Sequence, residues 1–256
     1  MRSITIPIDK EQTSVNSEQN FVIVGANGSG KSHLGAWIEK QNINGCVLRI
    51  SAQRALSIPE NIIIKSEESA WNIIYYGVEN QQDKGYKWNW GKEYTTKLVN
   101  DYDSVLSGIF ARQNRENASY VKDCKEREQQ KKEKANVPLM ITDKIIQIWD
   151  SVFPHRTISL EDAKIKAIFN SSTEYHAKDM LDGERVAIYL IGQCLIAPPN
   201  TVIVVDEPEI HLHKSIMFKL WDKIEEFCTD KIIVYITHDL DFAASRKEAT
   251  KIWVKS

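Results

Sequence analysis

Phe21-Val22-Ile23-Val24-Gly25-Ala26-Asn27-Gly28-Ser29-Gly30-Lys31-Ser32 decides the fold of this chain. Its first four residues are apolar and mostly β-branched, the composition of a buried strand. The chain then turns through three glycines in six positions and meets the pattern G-x-x-x-x-G-K-S/T in full. Such a turn, running here through Gly25, Ala26, Asn27, Gly28, Ser29 and Gly30, curls the backbone so that successive N–H groups point at phosphate oxygens. The amphipathic helix that follows, with Leu34, Trp37 and Ile38 on one side, adds its positive N-terminal end. Lys31 is placed to reach the β- and γ-phosphates, and the Ser32 hydroxyl to ligate Mg²⁺. The stretch predicts a nucleotide-binding protein.

The rest of the composition is that of an ordinary globular chain. Its 256 residues can bury one good-sized core, or one core with an inserted subdomain. A hydrophobic content of 42% and a charged content of 27% match a soluble protein. The net charge of −2 argues against whole-molecule attraction to nucleic acid, although a local basic face stays compatible with it. Cys46, Cys124, Cys194 and Cys228 are scattered, with no C-x-x-C pair and no metal-ligand spacing. Cys46, Cys194 and Cys228 sit among apolar residues and read as buried thiols in a reducing compartment. No apolar run approaches membrane-spanning length and the N-terminus has no charged-then-hydrophobic leader, so a cytoplasmic protein without a membrane partner is expected.

Outward from the phosphate loop, Ile4, Ile6 and Ile8 alternate with polar residues and predict an outer strand over residues 1–8. Residues 9–20 are polar and read as a loop. After the first helix, Asn42-Ile43-Asn44-Gly45 supplies a C-cap and turn, residues 46–51 a second strand, and residues 62–65 a third. From Ser66 the pattern becomes helical, with a capping hydroxyl and an acidic first turn. Tyr86, Trp88 and Trp90 occupy a glycine-bounded loop over residues 83–91, read as aromatics anchoring a long loop onto the body rather than as a base-stacking platform. Tyr94, Leu98, Tyr102, Val105, Leu106, Ile109 and Phe110 mark a long amphipathic helix. Beyond it, residues 122–134 carry six basic and four acidic side chains, the mixed-sign pattern of a solvated helix, with DNA contact as the sharper alternative. A helix from about Asp143 closes at Pro154, and residues 156–176 accommodate two short strands.

Three further motifs carry chemistry. Thr201-Val202-Ile203-Val204-Val205-Asp206-Glu207-Pro208-Glu209 is a buried strand delivering carboxylates at its C-terminal end, where parallel sheets bind ligands. Asp206 suits a Mg²⁺ bridging the phosphates, and Glu207 is placed to orient or deprotonate the attacking water. Lys231-Ile232-Ile233-Val234-Tyr235-Ile236-Thr237-His238-Asp239 is a second such strand, whose His238 can hydrogen-bond a γ-phosphate. Asp182-Gly183-Glu184-Arg185 opens an apolar helix that stops at Pro198-Pro199, another anion site at a helix start. Gln53, just past the second strand, is within reach of the metal or the water.

In this order the elements resemble the ABC-type ATPases, including the SMC, RecF and overcoming-lysogenisation-defect branches. Residues 25–32 match the Walker A loop, Gln53 the Q-loop, residues 181–185 the signature, Asp206-Glu207 the Walker B pair and His238 the switch histidine. The resemblance implies an α/β P-loop NTPase fold of ABC-ATPase type: a mixed β-sheet flanked by helices, with residues 1–65 and 181–256 as the nucleotide-binding core and 66–180 as an inserted, mostly helical lobe. It further implies ATP and Mg²⁺ as cofactors and a head-to-head dimer. Glu207, His238 and Gln53 would then be catalytic, and Gln53, with Ser32 and Asp206, at the metal. Backbone contacts of Gly183 and Glu184 would come from the second head. Leu181 stands where the family normally carries serine, so one hydroxyl contact to the γ-phosphate is lost and slow hydrolysis is expected.

Asp206-Glu207-Pro208-Glu209-Ile210-His211-Leu212-His213 looks like the lysogenisation-defect type and related anti-phage ATPases, and Ser151-Val152-Phe153-Pro154-His155-Arg156 like the ATPase component of PARIS-type defence systems. Those relatives act beside, or fused to, an effector such as a Toprim-like nuclease, which here would lie on another chain or in a missing C-terminal part. No third ligand accompanies His211 and His213, which argues against zinc. The other readings are a DNA-repair clamp of the RecF or SMC kind and a transporter nucleotide-binding subunit. The latter usually places an adenine-stacking aromatic upstream of the phosphate loop, and residues 1–20 contain none.

Overall fold

The computed structural model describes residues 2–8, 11–41, 46–59, 61–133, 135–169 and 173–254. In chain order these form β1 (Arg2–Ile8), β2 (Glu11–Ser17), β3 (Phe21–Gly25), α1 (Lys31–Gln41), β4 (Val47–Ile50), α2 (Glu67–Tyr76), α3 (Tyr102–Gln129) and α4 (Ile141–Val152). There follow β5 (Arg156–Glu161), β6 (Lys164–Phe169), β7 (Thr173–His176), α5 (Asp182–Ile196), β8 (Val202–Asp206), α6 (Lys214–Phe227), β9 (Ile232–Thr237), α7 (Leu240–Ser245) and β10 (Thr250–Val254). The chain divides into two compact units, Met1–Ala55 with Asp83–Asn100 and Ala197–Ser256, and Leu56–Gln82 with Asp101–Ile196. These divisions differ from the expected 65/66 and 180/181 boundaries. Residues 83–100 run beside β4 and fold with the first unit, while α5 packs on α3 and α4 and folds with the second.

The first unit is built on an all-parallel sheet in the order β10-β3-β9-β8-β4. Parallel strands need cover on both faces, which is why β3, β4 and β8 are buried along their whole length. On one face Phe21, Ile23, Val204, Val234 and Ile236 pack under Ile38 of α1 and Ile4 and Ile6 of β1. On the other, Tyr235 meets Trp221 of α6 and Phe242 of α7 edge-on, with ring centroids 5.1 Å apart in each pair. The register puts Val24 beside Thr237 and Ile236 beside Asp206, so β3, β9 and β8 deliver their C-terminal residues to one level of one edge.

The antiparallel part of the expected mixed sheet is a separate two-stranded ribbon. Residues 11–17, read from polarity as loop, are β2, paired with β1 from Arg2 opposite Ser17 to Ile8 opposite Glu11. Only alternate side chains of β2 are even half-buried, so its composition stays polar while its backbone is satisfied by β1. Residues 62–65 do not form the expected strand. Ile63 and Ile64 are exposed, and the Lys65 N–H donates to Ser107 Oγ at 2.8 Å rather than to a neighbouring strand. The expected cap at Asn42-Ile43-Asn44-Gly45 lies outside the described residues.

In the second unit, α2 starts as predicted, with Ser66 Oγ accepting the Ser69 N–H at 3.0 Å. The long helix α3 begins at Tyr102 and not at Tyr94. Residues 94–99 are drawn into contacts with β4 and the turn after it, and Leu98 is exposed. Its buried residues end at Phe110, so the mixed-charge remainder is a solvated helix as read from the sequence. Residues 156–176 hold three antiparallel strands, β5-β6-β7, instead of two. Among the described residues no helix is long and apolar enough to cross a membrane.

Arg112 of α3 closes the C-terminal end of α5. Its Nη1 and Nη2 donate to the carbonyls of Leu195 and Ile196 at 2.7 and 2.9 Å, while Nε donates to Glu67 of α2 at 2.7 Å. One guanidinium therefore satisfies two of the carbonyls that the end of α5 leaves without an intrahelical partner. Arg112→Leu should lower stability by about 2–3 kcal/mol, the cost of charge-assisted bonds removed from partly buried partners. A urea titration that leaves the transition midpoint unchanged would contradict this.

Candidate nucleotide-binding site

The phosphate loop leaves β3 at Gly25 and enters α1 at Lys31. Gly28 and Gly30 have φ of 82° and 85°, the left-handed region that favours glycine, and this lets the loop double back within six residues. The turn is closed by Ser29 N–H to Ala26 O at 3.2 Å. Ala26, Asn27 and Gly28 are exposed, whereas Lys31 is buried, with Nζ donating to Ala26 O at 2.7 Å. The ammonium thus lies over the loop's own backbone. Ser32 occupies the first turn of α1.

Two strands away, β8 ends at Asp206, whose carboxylate is buried. Oδ2 accepts from Arg49 Nη1 at 3.1 Å, whereas Oδ1 is buried and has no hydrogen-bond partner among the described residues. Burial pushes the Asp206 carboxyl up to about 6, with Arg49 opposing that shift. Gly35 of α1 makes room for this arrangement: a Cβ there would come within 2.8 Å of Ile236 Cδ1 and 3.1 Å of Asp206 Oδ1. An ionised oxygen held dry and without a donor, on the strand facing the start of α1, fits a hydrated divalent cation. That fit singles out Asp206 and Ser32 as the residues that could hold one.

Glu207 and His238 continue from β8 and β9. Glu207 takes φ of 50°, uncommon for a residue with a side chain, and its N–H donates to Ile236 O at 2.8 Å. Its carboxylate is half-buried. His238 Nδ1 lies 3.6 Å from Glu207 Oε1 and 3.2 Å from Glu209 Oε1. The structure therefore brings Gly25, Ala26, Asn27, Gly28, Ser29, Gly30, Lys31, Ser32, Asp206, Glu207 and His238 to one edge of one sheet. Gln53 lies beyond β4 at the same edge. Its side chain is exposed and its backbone carbonyl accepts the Val99 N–H at 3.0 Å.

Gly183 and Glu184 belong to the other unit, in the first turn of α5. There the side chain of Glu184 is fully engaged. Oε2 accepts the Leu181 N–H at 2.7 Å, and Oε1 accepts Tyr175 OH at 2.7 Å and pairs with Arg156. Its own N–H donates to Leu181 O at 3.0 Å. Leu181 is exposed. His213 caps α6 through Nδ1, 3.4 Å from the Ser215 N–H, and no cluster of metal-ligating side chains occurs among the described residues.

Sequence reasoning missed Arg49, Glu39 and Glu209. Arg49 of β4 is fully buried; Nε donates to Glu39 of α1 at 3.1 Å, Nη1 to Asp206, and Nη2 to the carbonyl of Tyr94. Trp88 lies beneath the guanidinium, 4.3 Å from ring centroid to Cζ. Burial alone would raise the Glu39 carboxyl, but Lys84, Lys87 and Arg49 outweigh it and hold it below its ordinary range. The available signal was an arginine in the middle of Cys46-Val47-Leu48-Arg49-Ile50-Ser51, because an arginine inside a buried strand requires a buried partner.

No family model and no curated protein matches the chain. Solved structures do. An SMC head bound to the C-winged helix domain of ScpA aligns with a TM-score of 0.50 at 15% identity, over 95% of this chain and 91% of that one. A putative ABC transporter ATP-binding protein from Pyrococcus furiosus aligns with a TM-score of 0.44 at 13% identity, over 99% and 95%. An SMC head with an extended coiled coil, bound to the C-terminal domain of ScpA and also from Pyrococcus furiosus, gives 0.43 at 13%, over 95% and 90%. The chain has the α/β fold of an SMC head.

The raised carboxyl of Asp206 makes stability depend on pH. Its folded value of about 6 lies above the ordinary 3.8, so between these values the folded state binds more protons than the unfolded one. Stability should therefore fall as pH rises through this window and level off above it. In the nucleotide-free protein, Asp206→Asn should remove that slope. Parent and variant should diverge by on the order of 2 kcal/mol between about pH 4 and 7, the variant being the more stable at neutral pH. Parallel curves of urea midpoint against pH would sink the assignment.

Proposed function

We propose that this protein is an ABC-type ATPase that binds ATP with Mg²⁺ and hydrolyses it slowly in a head-to-head dimer. One observation carries the reading: the phosphate loop, the Asp206-Glu207 pair and His238 share one edge of one parallel sheet, with the Asp206 Oδ1 oxygen buried and without a donor. Lys31 and the loop amides would bind the phosphates, and Ser32, Asp206 and Gln53 would hold Mg²⁺. When bound, Mg²⁺ would neutralise phosphate charge and orient the terminal group. Glu207 would take the proton of the attacking water, and His238 would contact the γ-phosphate. Gly183 would carry the backbone contact from the second head, and Glu184 would act by fixing the turn that presents it. The unit of Met1–Ala55, Asp83–Asn100 and Ala197–Ser256 would form the nucleotide-binding core, and that of Leu56–Gln82 and Asp101–Ile196 the mostly helical lobe.

The biological role we favour is nucleotide-gated control of an effector in cytoplasmic anti-phage defence. It is supported by the run Asp206-Glu207-Pro208-Glu209-Ile210-His211-Leu212-His213 and its likeness to defence ATPases that act with a Toprim-like nuclease.

Two variants test the chemistry. Lys31→Ala should abolish tight ATP·Mg²⁺ binding with the fold intact, since the side chain neutralises charge. Glu207→Gln should bind ATP normally but hydrolyse it about 10²–10⁴-fold more slowly and accumulate as the ATP-bound dimer. Calorimetry giving equal affinities for parent and Lys31→Ala would refute the binding site, and unchanged single-turnover rates in Glu207→Gln would refute the general base. A third variant reads the departure at Leu181: Leu181→Ser should raise the single-turnover rate by supplying a hydroxyl near developing phosphate charge. If that rate stays flat while the dimer forms, the hydroxyl position plays no part in this chain.

A further inference from the structure

His238 lies between two carboxylates, and the more buried of them, Glu209, has no assigned role. The side chain of Glu209 is 12% exposed against 29% for Glu207. Its Oε1 lies 3.2 Å from His238 Nδ1 and accepts the Thr237 hydroxyl at 2.7 Å, and Thr237 Oγ1 in turn accepts the Asp239 N–H at 2.9 Å. Its Oε2 is buried with no hydrogen-bond partner among the described residues. The charges next to His238 in sequence are engaged elsewhere: Asp239 Oδ1 accepts the amides of Asp241 and Phe242 at 2.8 and 3.0 Å, and Asp241 pairs with Lys214.

A neutral imidazole has one N–H and one lone pair. Nδ1 of His238 faces only acceptors, the oxygens of Glu209 and Glu207, so the single proton belongs there. That leaves Nε2 with a lone pair, and a terminal phosphate also presents only acceptors. Two acceptors on opposite sides of one ring can both be satisfied only if the ring carries two protons. Glu209 Oε1, held in place by the Thr237 hydroxyl, is the nearer acceptor for the Nδ1 proton.

We infer that Glu209 is a positioning residue which holds the Nδ1 proton of His238, so that engagement of the γ-phosphate protonates Nε2 and ATP binding takes up one proton from solvent. ADP, lacking the γ-phosphate, binds without this uptake. The inference rests on the ATP-binding reading above.

Proton uptake is read by titrating Mg²⁺·ATPγS and Mg²⁺·ADP calorimetrically at about pH 8, where an ordinary imidazole is neutral, in buffers of different ionisation enthalpy. The parent should show close to one proton taken up with ATPγS and none with ADP. Glu209→Gln, isosteric and still able to accept from Thr237, should keep its melting temperature, lose most of the uptake and bind ATPγS roughly tenfold more weakly. His238→Gln should show no uptake. Equal uptake in parent and Glu209→Gln, or a parent that binds ATPγS without uptake, overturns the inference alone. Failure of the parent to bind either nucleotide overturns the ATP-binding reading and takes this inference with it.

Discussion

The fixed point of the first unit is the guanidinium of Arg49. Its three nitrogens go to three different segments: Glu39 on α1, Asp206 at the end of β8, and the Tyr94 carbonyl in residues 83–100. The helix that carries Lys31 and Ser32 and the strand that carries Asp206 are thereby held at one spacing by one group. A lysine could not replace it, because an ammonium lacks the planar fork and stacks less well on the Trp88 ring beneath. Burying this many charges is costly, and the cluster tolerates it because Lys84 supplies a further cation to Glu39 at 2.9 Å. The same bonds attach residues 83–100 to the outer side of β4, with Lys84 bonded to Val47 O at one end and Ala55 N–H to Val99 O, at 2.8 Å, at the other. An edge strand that would otherwise present unpaired backbone is covered.

Burial and hydrogen-bond partners set three neighbouring carboxylates apart. Asp206 has one oxygen held by Arg49 and one left without a donor, in a dry site that raises its proton affinity; a cation is the partner that would relieve both. Glu207 takes a left-handed backbone, and its side chain is more exposed than that of Asp206 or Glu209. Glu209 is pulled inward by the Thr237 hydroxyl and ends beside His238. Three acids within four positions of sequence are thus separated by burial and partner into a candidate cation ligand, a candidate base and the proposed support for His238.

What the sequence made legible follows from the range of the interactions. The phosphate loop, β8 and β9 could be read because their chemistry is local: glycines at fixed offsets, and apolar runs ending in acid or histidine. Strand β2 could not, since its polar side chains say nothing of the backbone ladder it forms with β1. Residues 62–65 misled in the opposite sense: three isoleucines looked like a strand, yet among the described residues no strand pairs with them. Tyr94 and Leu98 continued the spacing of α3 by accident, and tertiary contacts to Arg49 and to the turn after β4 kept them out of the helix. The Arg49 cluster was hidden because its partners are 10 and 157 positions away, a distance no local pattern spans.

The start of α5 in the second unit is set by one buried carboxylate. Glu184 lies in the motif that resembles the signature, yet its side chain is spent inward on the Leu181 N–H, Tyr175 of β7 and Arg156 of β5. A carboxylate that accepts the amide at the helix start fixes the entry of the helix, and Arg156 pairs with its charge. The sheet β5-β6-β7 is therefore the frame on which this helix end is set. Any displacement of β5 against β7 would be felt at Leu181 through a single buried side chain. The fold thus places its two sensitive points, Arg49 and Glu184, one in each unit, and each is a buried charge whose partners come from more than one element.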